Sequence, residues 1–238
     1  MWSGPRNLST AMMRSFASRS DTFVSDEPFY GCFLRSTGLD HPMREQTIAA
    51  MDCDWRSVMT DLAGEAPDGS PIWYQKHMSH HMTGPIGYKD FEGFTHAFLI
   101  REPARMIASY LRKRERAVFE NFGLDRQVEF FEQEGDRLGH APPVVEANDL
   151  LADPPGMLFK LCAALEIPFE EAMLRWPQGR QPTDGPWAAH WYGAVEKSTG
   201  FGAPETSPVE LKTEDRKLAD RCSPYYERLA VHRIRSAS

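Results

Sequence analysis

The chain has 238 residues, of which 41% are hydrophobic and 26% are charged, so it can bury the core of one α/β domain and does not read as disordered. Its formal net charge of −7 disfavours a nucleic-acid binder, which is normally basic, but a local site can still attract an anionic small ligand. Its four cysteines form no C-x-x-C pair, and we find neither a membrane-spanning run nor a signal peptide, so we expect a cytoplasmic protein with no membrane partner.

The first element is the stretch Ser3–Phe16, SGPRNLSTAMMRSF, where a Gly-Pro turn leads into helix-forming residues. The free N–H groups of such a turn and the helix dipole form an anion site, and Arg6, Ser9 and Thr10 add donors to it. Taken alone, an ordinary capped helix explains the stretch equally well. A phosphate-binding loop follows a β-strand, yet only two residues precede this one, so we expect a very short strand or, as we favour, a start further upstream.

The remaining elements alternate between strand and helix. The stretch Asp21–Phe29 is predicted as a strand with the loop that follows it, and the other predicted strands are Ile72–Lys76, Thr95–Ile100 and Pro143–Ala147. The predicted helices are 44–62, 103–111, 155–165 and 208–229, with loops at 68–71, 77–87 and 178–187. This order predicts one domain over residues 1–238, an α/β fold with a parallel sheet flanked by helices. Because ligands bind at the carboxyl ends of such strands, the residues that follow them are the first candidates for a site: Arg6, Glu27, His77 and Arg101.

A second motif lies in the sequence LIREPARMIASY, residues 99–110. It places Arg101 at a strand end and Ser109 eight residues later on the next helix, and a guanidinium with a hydroxyl suits a phosphate dianion. The first loop differs from that of nucleoside triphosphate enzymes, because Leu8 stands at the second glycine and the stretch contains no lysine.

Four stretches together resemble the sulfotransferases, in their bacterial branch: residues 5–10, the Arg101/Ser109 pair, VEANDLLADP (145–154) and VEKSTGF (195–201). The resemblance covers most of the chain and implies the P-loop nucleoside triphosphate hydrolase-like fold. It also implies transfer of a sulfuryl group from 3′-phosphoadenylyl sulfate (PAPS) to a hydroxyl or amine of an unidentified small-molecule acceptor. The product adenosine 3′,5′-bisphosphate (PAP) is then released, and the reaction needs no metal. A homodimer is compatible with the family.

The resemblance also assigns the residues that bind the donor. Those expected at the 5′-phosphosulfate are Arg6, Asn7, Leu8, Ser9 and Thr10; those at the 3′-phosphate are Arg101 and Ser109; those that close on the nucleotide are Lys197, Ser198, Thr199 and Gly200. Two features depart from the family: Leu8 replaces a glycine, and the Arg-Lys-Gly element of many cytosolic members is not visible. We expect Lys197 to take the place of that element.

The base that deprotonates the acceptor has two candidates. His77 follows the third predicted strand, where cytosolic sulfotransferases place a histidine, and an imidazole has a suitable pKa. Glu27 is the rival, because other branches use a glutamate after an early strand. A metal at His77, His80 and His81 is disfavoured, because no cysteine or carboxylate stands at ligand spacing.

Two other functions stay open from the sequence. A P-loop kinase for a small substrate would require Mg-dependent ATP binding, and the missing Gly-Lys-Ser/Thr argues against it. A catalytically silent module that binds an adenine nucleotide is consistent with the two departures from the sulfotransferase pattern.

Overall fold

A computed structural model describes residues 1–235, in which five parallel strands form one sheet. The strands are β1 (Trp2–Ser3), β2 (Thr22–Asp26), β3 (Ile72–Met78), β4 (Phe98–Ile100) and β5 (Val144–Glu146). Their order across the sheet is β2-β3-β1-β4-β5, with every pairing parallel. The short β1 is therefore the central strand, and the predicted α/β fold with a parallel sheet is confirmed.

Ten α-helices surround the sheet within the described residues. They are α1 (Ser9–Ala17), α2 (Tyr30–Thr37), α3 (Arg44–Ala50), α4 (Trp55–Leu62), α5 (Pro103–Leu111), α6 (Leu124–Leu138), α7 (Ala147–Ala152), α8 (Pro154–Ala164), α9 (Ala188–Trp191) and α10 (Thr213–Ala230). Five single 3₁₀ turns lie at Ser79–His81, Tyr88–Phe91, Phe119–Asn121, Glu171–Leu174 and Val195–Lys197.

The two faces of the sheet bury separate cores, because successive strand side chains point to opposite faces. Phe98 and Val144 pack in the core that α6 and α10 cover, whereas Leu99 and Val145 pack in the core that α1 and α8 cover. Helices on both faces leave the carboxyl edge of the strands for a site.

Several predicted boundaries differ from the structure. The predicted helix 44–62 is two helices, because the side chain of Asp54 caps a new helix by accepting from the amides of Arg56 and Ser57. The third strand continues to Met78 rather than ending at Lys76, the fourth begins at Phe98, and the last helix begins at Thr213.

Helices α2 and α6 were not predicted from the sequence. Two of the six buried residues of α6 are polar, so its apolar face is incomplete. One of them, Gln127, donates from Nε2 to the carbonyl oxygens of Trp2 at 3.2 Å and Leu99 at 3.1 Å. This amide thus ties α6 to the central strands.

All four cysteines are buried and free: Cys32, Cys53, Cys162 and Cys222. Within residues 1–235 we find no helix whose length and hydropathy would let it cross a bilayer.

Candidate active site

The loop between β1 and α1 presents free backbone amides. Arg6 and Leu8 both adopt a left-handed conformation, with φ of 66°. Left-handed residues in a loop that leads into a helix can turn neighbouring N–H groups towards one point, which favours an anion. No side chain caps α1, and within residues 1–235 the amides of residues 6–11 have no protein acceptor. The loop therefore forms an anion cradle at a helix N-terminus.

Arg6 and Arg101 line one cavity of about 330 Å³ beside this loop. Arg101 Nη1 donates to the main-chain oxygen of Arg6 at 2.5 Å, and Arg6 Nε donates to Ser109 Oγ at 3.1 Å. Burial, together with the nearby charges of Arg112 and Arg101, lowers the pKa of Arg6. The structure thus brings together two motifs that lie about a hundred residues apart in the sequence, and their positive charges face the same space.

Most of the other predicted donor-binding residues lie at this cavity. Its lining includes Leu8, Ser9, Thr10, Ser198 and Gly200. Asn7 is buried, and its Nδ2 donates to the carbonyl of Leu99 at 3.4 Å. Lys197 is exposed, and Thr199 lines a separate cavity beside Trp176.

A smaller cavity of about 70 Å³ adjoins the first. The two share Arg6, Ser9, Thr10, Trp191 and Tyr192. The rest of the smaller cavity is largely aromatic and imidazole, with Tyr30, His41, His80, His81 and Tyr110, together with Glu27, Lys76, Pro5 and Met78. A second substrate placed there would lie next to an anion held by the loop.

Glu27 belongs to a buried ionic network in the wall of the smaller cavity. Lys76 Nζ lies 2.7 Å from Asp26 Oδ1, from Glu27 Oε1 and from the hydroxyl of Tyr192, and that hydroxyl donates to Asp26 Oδ2 at 2.6 Å. Glu27 has a positive φ of 48° and only 9% exposure. Burial raises the pKa of Glu27 above its usual 4.5, with Asp26 adding to the effect and Lys76 opposing it.

Lys76 is almost fully buried, with a side-chain exposure of 1%. Burial alone would lower the pKa of Lys76, but Asp26 and Glu27 raise it well above its usual value. The ammonium therefore stays charged and holds one oxygen of Glu27. The other oxygen, Oε2, lies 3.9 Å from His81 Nδ1, beyond hydrogen-bond distance.

His77 lies away from both of these cavities. It is within β3 rather than after it, and its neighbour Lys76 points to the opposite face. The ring stacks on Trp2 with 4.6 Å between centroids, and Nε2 lies 3.2 Å from Gln75 Oε1. His77 lines a different cavity with Trp2, Gln75 and His96, and burial lowers its pKa well below 6.5.

The other histidines of the sequence cluster lie in the smaller cavity. His81 stacks on Tyr30 with 4.4 Å between ring centroids, and the Tyr30 hydroxyl lies 2.9 Å from His41 Nδ1. Burial lowers the pKa of His41 to about 4 and that of His80 to about 3, so both imidazoles are neutral at pH 7. Within residues 1–235, no three His, Cys, Asp or Glu side chains form a metal-binding group.

Several residues at the site were not predicted from the sequence. Glu205 accepts from Arg101 Nη2 with both oxygens at 2.5 Å, and the Glu205 amide donates to Asn148 Oδ1 at 2.7 Å. Tyr192 joins the network described above. No sequence pattern marks Glu205, whereas the Asp26-Glu27 pair after a strand was a visible signal.

The chain matches one family model and two curated proteins. The model of a family described as "Sulfotransferase domain" matches residues 1–233. Two Arabidopsis thaliana proteins named branched-chain-amino-acid aminotransferase-like protein 2 and 1 are 36% identical over 231 residues and 37% identical over 238 residues. The matches cover 97% and 100% of this chain but only 41% and 42% of those proteins, so the chain spans less than half the length of the curated relatives it matches.

Three solved structures share the fold at low sequence identity. The sulfotransferase of Alicyclobacillus acidocaldarius gives a TM-score of 0.55 at 14% identity, covering 98% of this chain and 95% of that one. The sulfotransferase domain of the curacin biosynthetic pathway gives a TM-score of 0.51 at 17% identity, and the match covers 93% of this chain and 95% of that domain. The sulfotransferase domain of the Synechococcus PCC 7002 olefin synthase gives a TM-score of 0.50 at 17% identity, and the match covers 93% of this chain and 92% of that domain. With a family model that matches nearly its whole length, this chain belongs to the sulfotransferase domain family.

Proposed function

We propose that this chain transfers a sulfuryl group from PAPS to the hydroxyl or amine of a small acceptor. The observation that carries the proposal is the shared cavity of Arg6 and Arg101, next to amides that have no protein acceptor. Family membership supports the reaction class. A donor with several phosphate and sulfate charges needs several cationic groups that face one space, and Arg6, Arg101 and Arg112 all line this cavity.

The residues of the larger cavity fit such a donor. The amides of residues 6–11, the hydroxyls of Ser9 and Thr10 and the guanidinium of Arg6 would hold the 5′-phosphosulfate. Arg101 and Ser109 would hold the 3′-phosphate. Charge develops on the phosphate oxygen that leaves, and preorganised donors at that oxygen stabilise the transition state.

We assign the general base to Glu27 rather than to His77. Glu27 lines the smaller cavity together with Arg6, whereas His77 lines a different one. Lys76 occupies Oε1, so Oε2 is the oxygen that would accept the acceptor proton. A carboxylate whose pKa is raised is a stronger base than an ordinary one.

The step balances without a further reactant. Glu27 takes the proton of the acceptor hydroxyl as that oxygen forms a bond to sulfur. The bond from sulfur to the 5′-phosphate oxygen breaks, and the electron pair stays on that phosphate, which Arg6 and the loop amides stabilise. PAPS supplies the sulfuryl group, and PAP with a sulfated acceptor leaves.

Calorimetric titration with PAP and with ATP tests donor binding. We expect PAP to bind, ATP with Mg²⁺ to bind much more weakly, and Arg101→Ala to weaken PAP binding by about 10–100-fold, as expected when a charge-assisted phosphate contact is lost. Arg126→Ala is the control, because Arg126 lies on α6 and pairs with Glu129 outside the cavity. Preference for Mg-ATP over PAP would favour a kinase instead.

A second candidate is a nucleotide-binding module without turnover. The carboxylate of Glu205 on Arg101 favours it, because this contact opposes a phosphate at the same guanidinium. Turnover of PAPS against a panel of phenols, sugars and simple alcohols decides between the two. Release of PAP that depends on the acceptor supports the transferase, and PAP binding without turnover of any panel member supports the module.

A further inference from the structure

One carboxylate lies inside the region expected to bind the 3′-phosphate. Glu205 is on the irregular segment 198–212, which follows the last 3₁₀ turn and precedes α10. Its two oxygens each accept from Arg101 Nη2 at 2.5 Å. The Arg101 side chain is only 6% exposed, whereas that of Glu205 is 34% exposed. A partly exposed anion is thus placed on a buried cation.

The position of Glu205 is fixed by several contacts. Its amide donates to Asn148 Oδ1 at 2.7 Å, and Arg105 Nη2 donates to the carbonyl of Ser207 at 3.1 Å. Upstream, the Phe201 ring packs edge-on against Trp176 with 5.1 Å between centroids. The carboxylate is therefore held over Arg101 by the backbone on either side of it.

We propose that Glu205 is an internal competitor for the 3′-phosphate of the donor and thereby sets donor affinity and product release. This inference rests on the proposed function. A carboxylate and a phosphate present similar oxygens to one guanidinium, and two anions at that position repel each other. The nucleotide would therefore bind only as Glu205 leaves Arg101, and Glu205 would return as PAP departs.

Arg105 offers Glu205 a second partner. Its Nη1 lies 3.9 Å from Glu205 Oε2, and it sits on α5, four residues after Arg101, which precedes that helix. Its Nε lies 3.1 Å from Glu102 Oε2, so Arg105 would be shared between the two glutamates. A small rotation of the glutamate side chain would exchange Arg101 for Arg105, so the anion need not become solvent-exposed and unpaired. The exchange would keep the cost of donor binding low while leaving Arg101 free.

The test is PAP affinity by calorimetry for the wild type, Glu205→Gln and Glu210→Gln. Glu210 is an exposed residue of the same segment, so its variant carries the same charge change away from Arg101. We expect Glu205→Gln to bind PAP about tenfold more tightly, because a charge-assisted contact no longer competes. Glu210→Gln should stay within about twofold, since a distant exposed charge is screened. Adenosine 5′-monophosphate, which lacks the 3′-phosphate, should gain nothing from Glu205→Gln.

The outcomes separate this inference from the proposed function. A wild type that binds no PAP contradicts the proposed function itself. A wild type that binds PAP, with equal or weaker binding by Glu205→Gln, overturns only the competition. Weaker binding would in addition assign Glu205 to positioning Arg101. If Glu205→Gln does not fold, Asn148→Ala takes its place, because it releases the Glu205 amide. It should also tighten PAP binding, and unchanged affinity in that variant contradicts the inference.

Discussion

The Nη1 group of Arg101 donates to the main-chain oxygen of Arg6 at 2.5 Å, across 95 residues of sequence. The bond holds the carbonyl of a residue whose φ is 66°, in a loop where Leu8 has the same left-handed value. Such conformations persist when the surrounding contacts determine them. The residue expected to bind the 3′-phosphate therefore also shapes the loop expected to bind the 5′-phosphosulfate.

Strain at Leu8 gives a prediction for stability. A left-handed residue other than glycine costs about 1–2 kcal/mol, and a β-branched one costs more. We expect Leu8→Gly to unfold at or above the wild-type temperature, and Leu8→Val to be less stable by about 1–2 kcal/mol. Thermal and denaturant unfolding measure both. The control is Leu39, which is exposed and lacks a positive φ, so Leu39→Gly should not raise stability.

Replacement of the two candidate bases gives a prediction for catalysis. We expect Glu27→Gln to lower kcat by about 10²–10⁴, the usual contribution of a general base, with PAP affinity close to that of the wild type. His77→Gln should keep kcat within about threefold of the wild type, a bound well below that contribution. It should unfold at a lower temperature, because it removes a stacked core ring. The reverse pattern, with His77→Gln inactive and Glu27→Gln active, would restore His77 as the base.

The pKa of Glu27 gives a prediction for pH dependence. The base must be ionised, so kcat should be low when Glu27 is protonated and should rise with pH through a pKa above 4.5. The pKa of His41 is about 4 and that of His80 is about 3, so both are neutral near pH 6.5 and should not cause a change of kcat there. In Glu27→Gln the residual rate should lose the acid limb. An unchanged limb in that variant would assign it to another group.

The buried cation gives a further prediction for stability. Lys76→Met leaves Asp26 and Glu27 without their partner, and breaking a buried pair costs about 3–5 kcal/mol. Loss of the ammonium raises the pKa of Glu27 further in the folded state, so the protonated carboxyl is favoured there. The variant should therefore be least destabilised at acid pH and lose stability as pH rises through that pKa.

Denaturant unfolding at several pH values measures the effect of Lys76→Met. The matched control is Lys217→Met, whose ion pair with Glu214 is exposed, so it should change stability by less than about 1 kcal/mol. An equal loss of stability at all pH values would mean that the ionised carboxylate of Glu27 is not the source of the destabilisation.

The sequence predicted the sheet and the anion loop, because both depend on local patterns. Strands β2 to β5 and helix α5 follow from short apolar runs and from Pro103 at a helix start. His77 shows the limit of such patterns. The predicted third strand ended at Lys76, two residues before the end of β3, so His77 was expected after the strand rather than within it. Within a strand, neighbouring side chains point to opposite faces of the sheet, so His77 and Lys76 reach different cavities.

Contacts between distant parts of the chain could not be predicted. Glu205 and Arg101 are 104 residues apart, and Lys76 and Tyr192 are 116 apart. A lone glutamate in an irregular segment has no periodicity, and its partner depends on how the whole chain folds. Helix α6 was also missed, because two of its buried residues, Gln127 and Glu134, are polar and interrupt the apolar pattern of its buried face.

Trp191 and Tyr192 line the larger and the smaller cavity alike. Arg6, Ser9 and Thr10 also line both cavities, so a nucleotide bound in the larger cavity would contact part of the wall of the smaller one. We therefore expect thermodynamic coupling between the two ligands. In steady-state kinetics it would appear as a preferred sequence of addition, with the acceptor's apparent KM set by donor saturation.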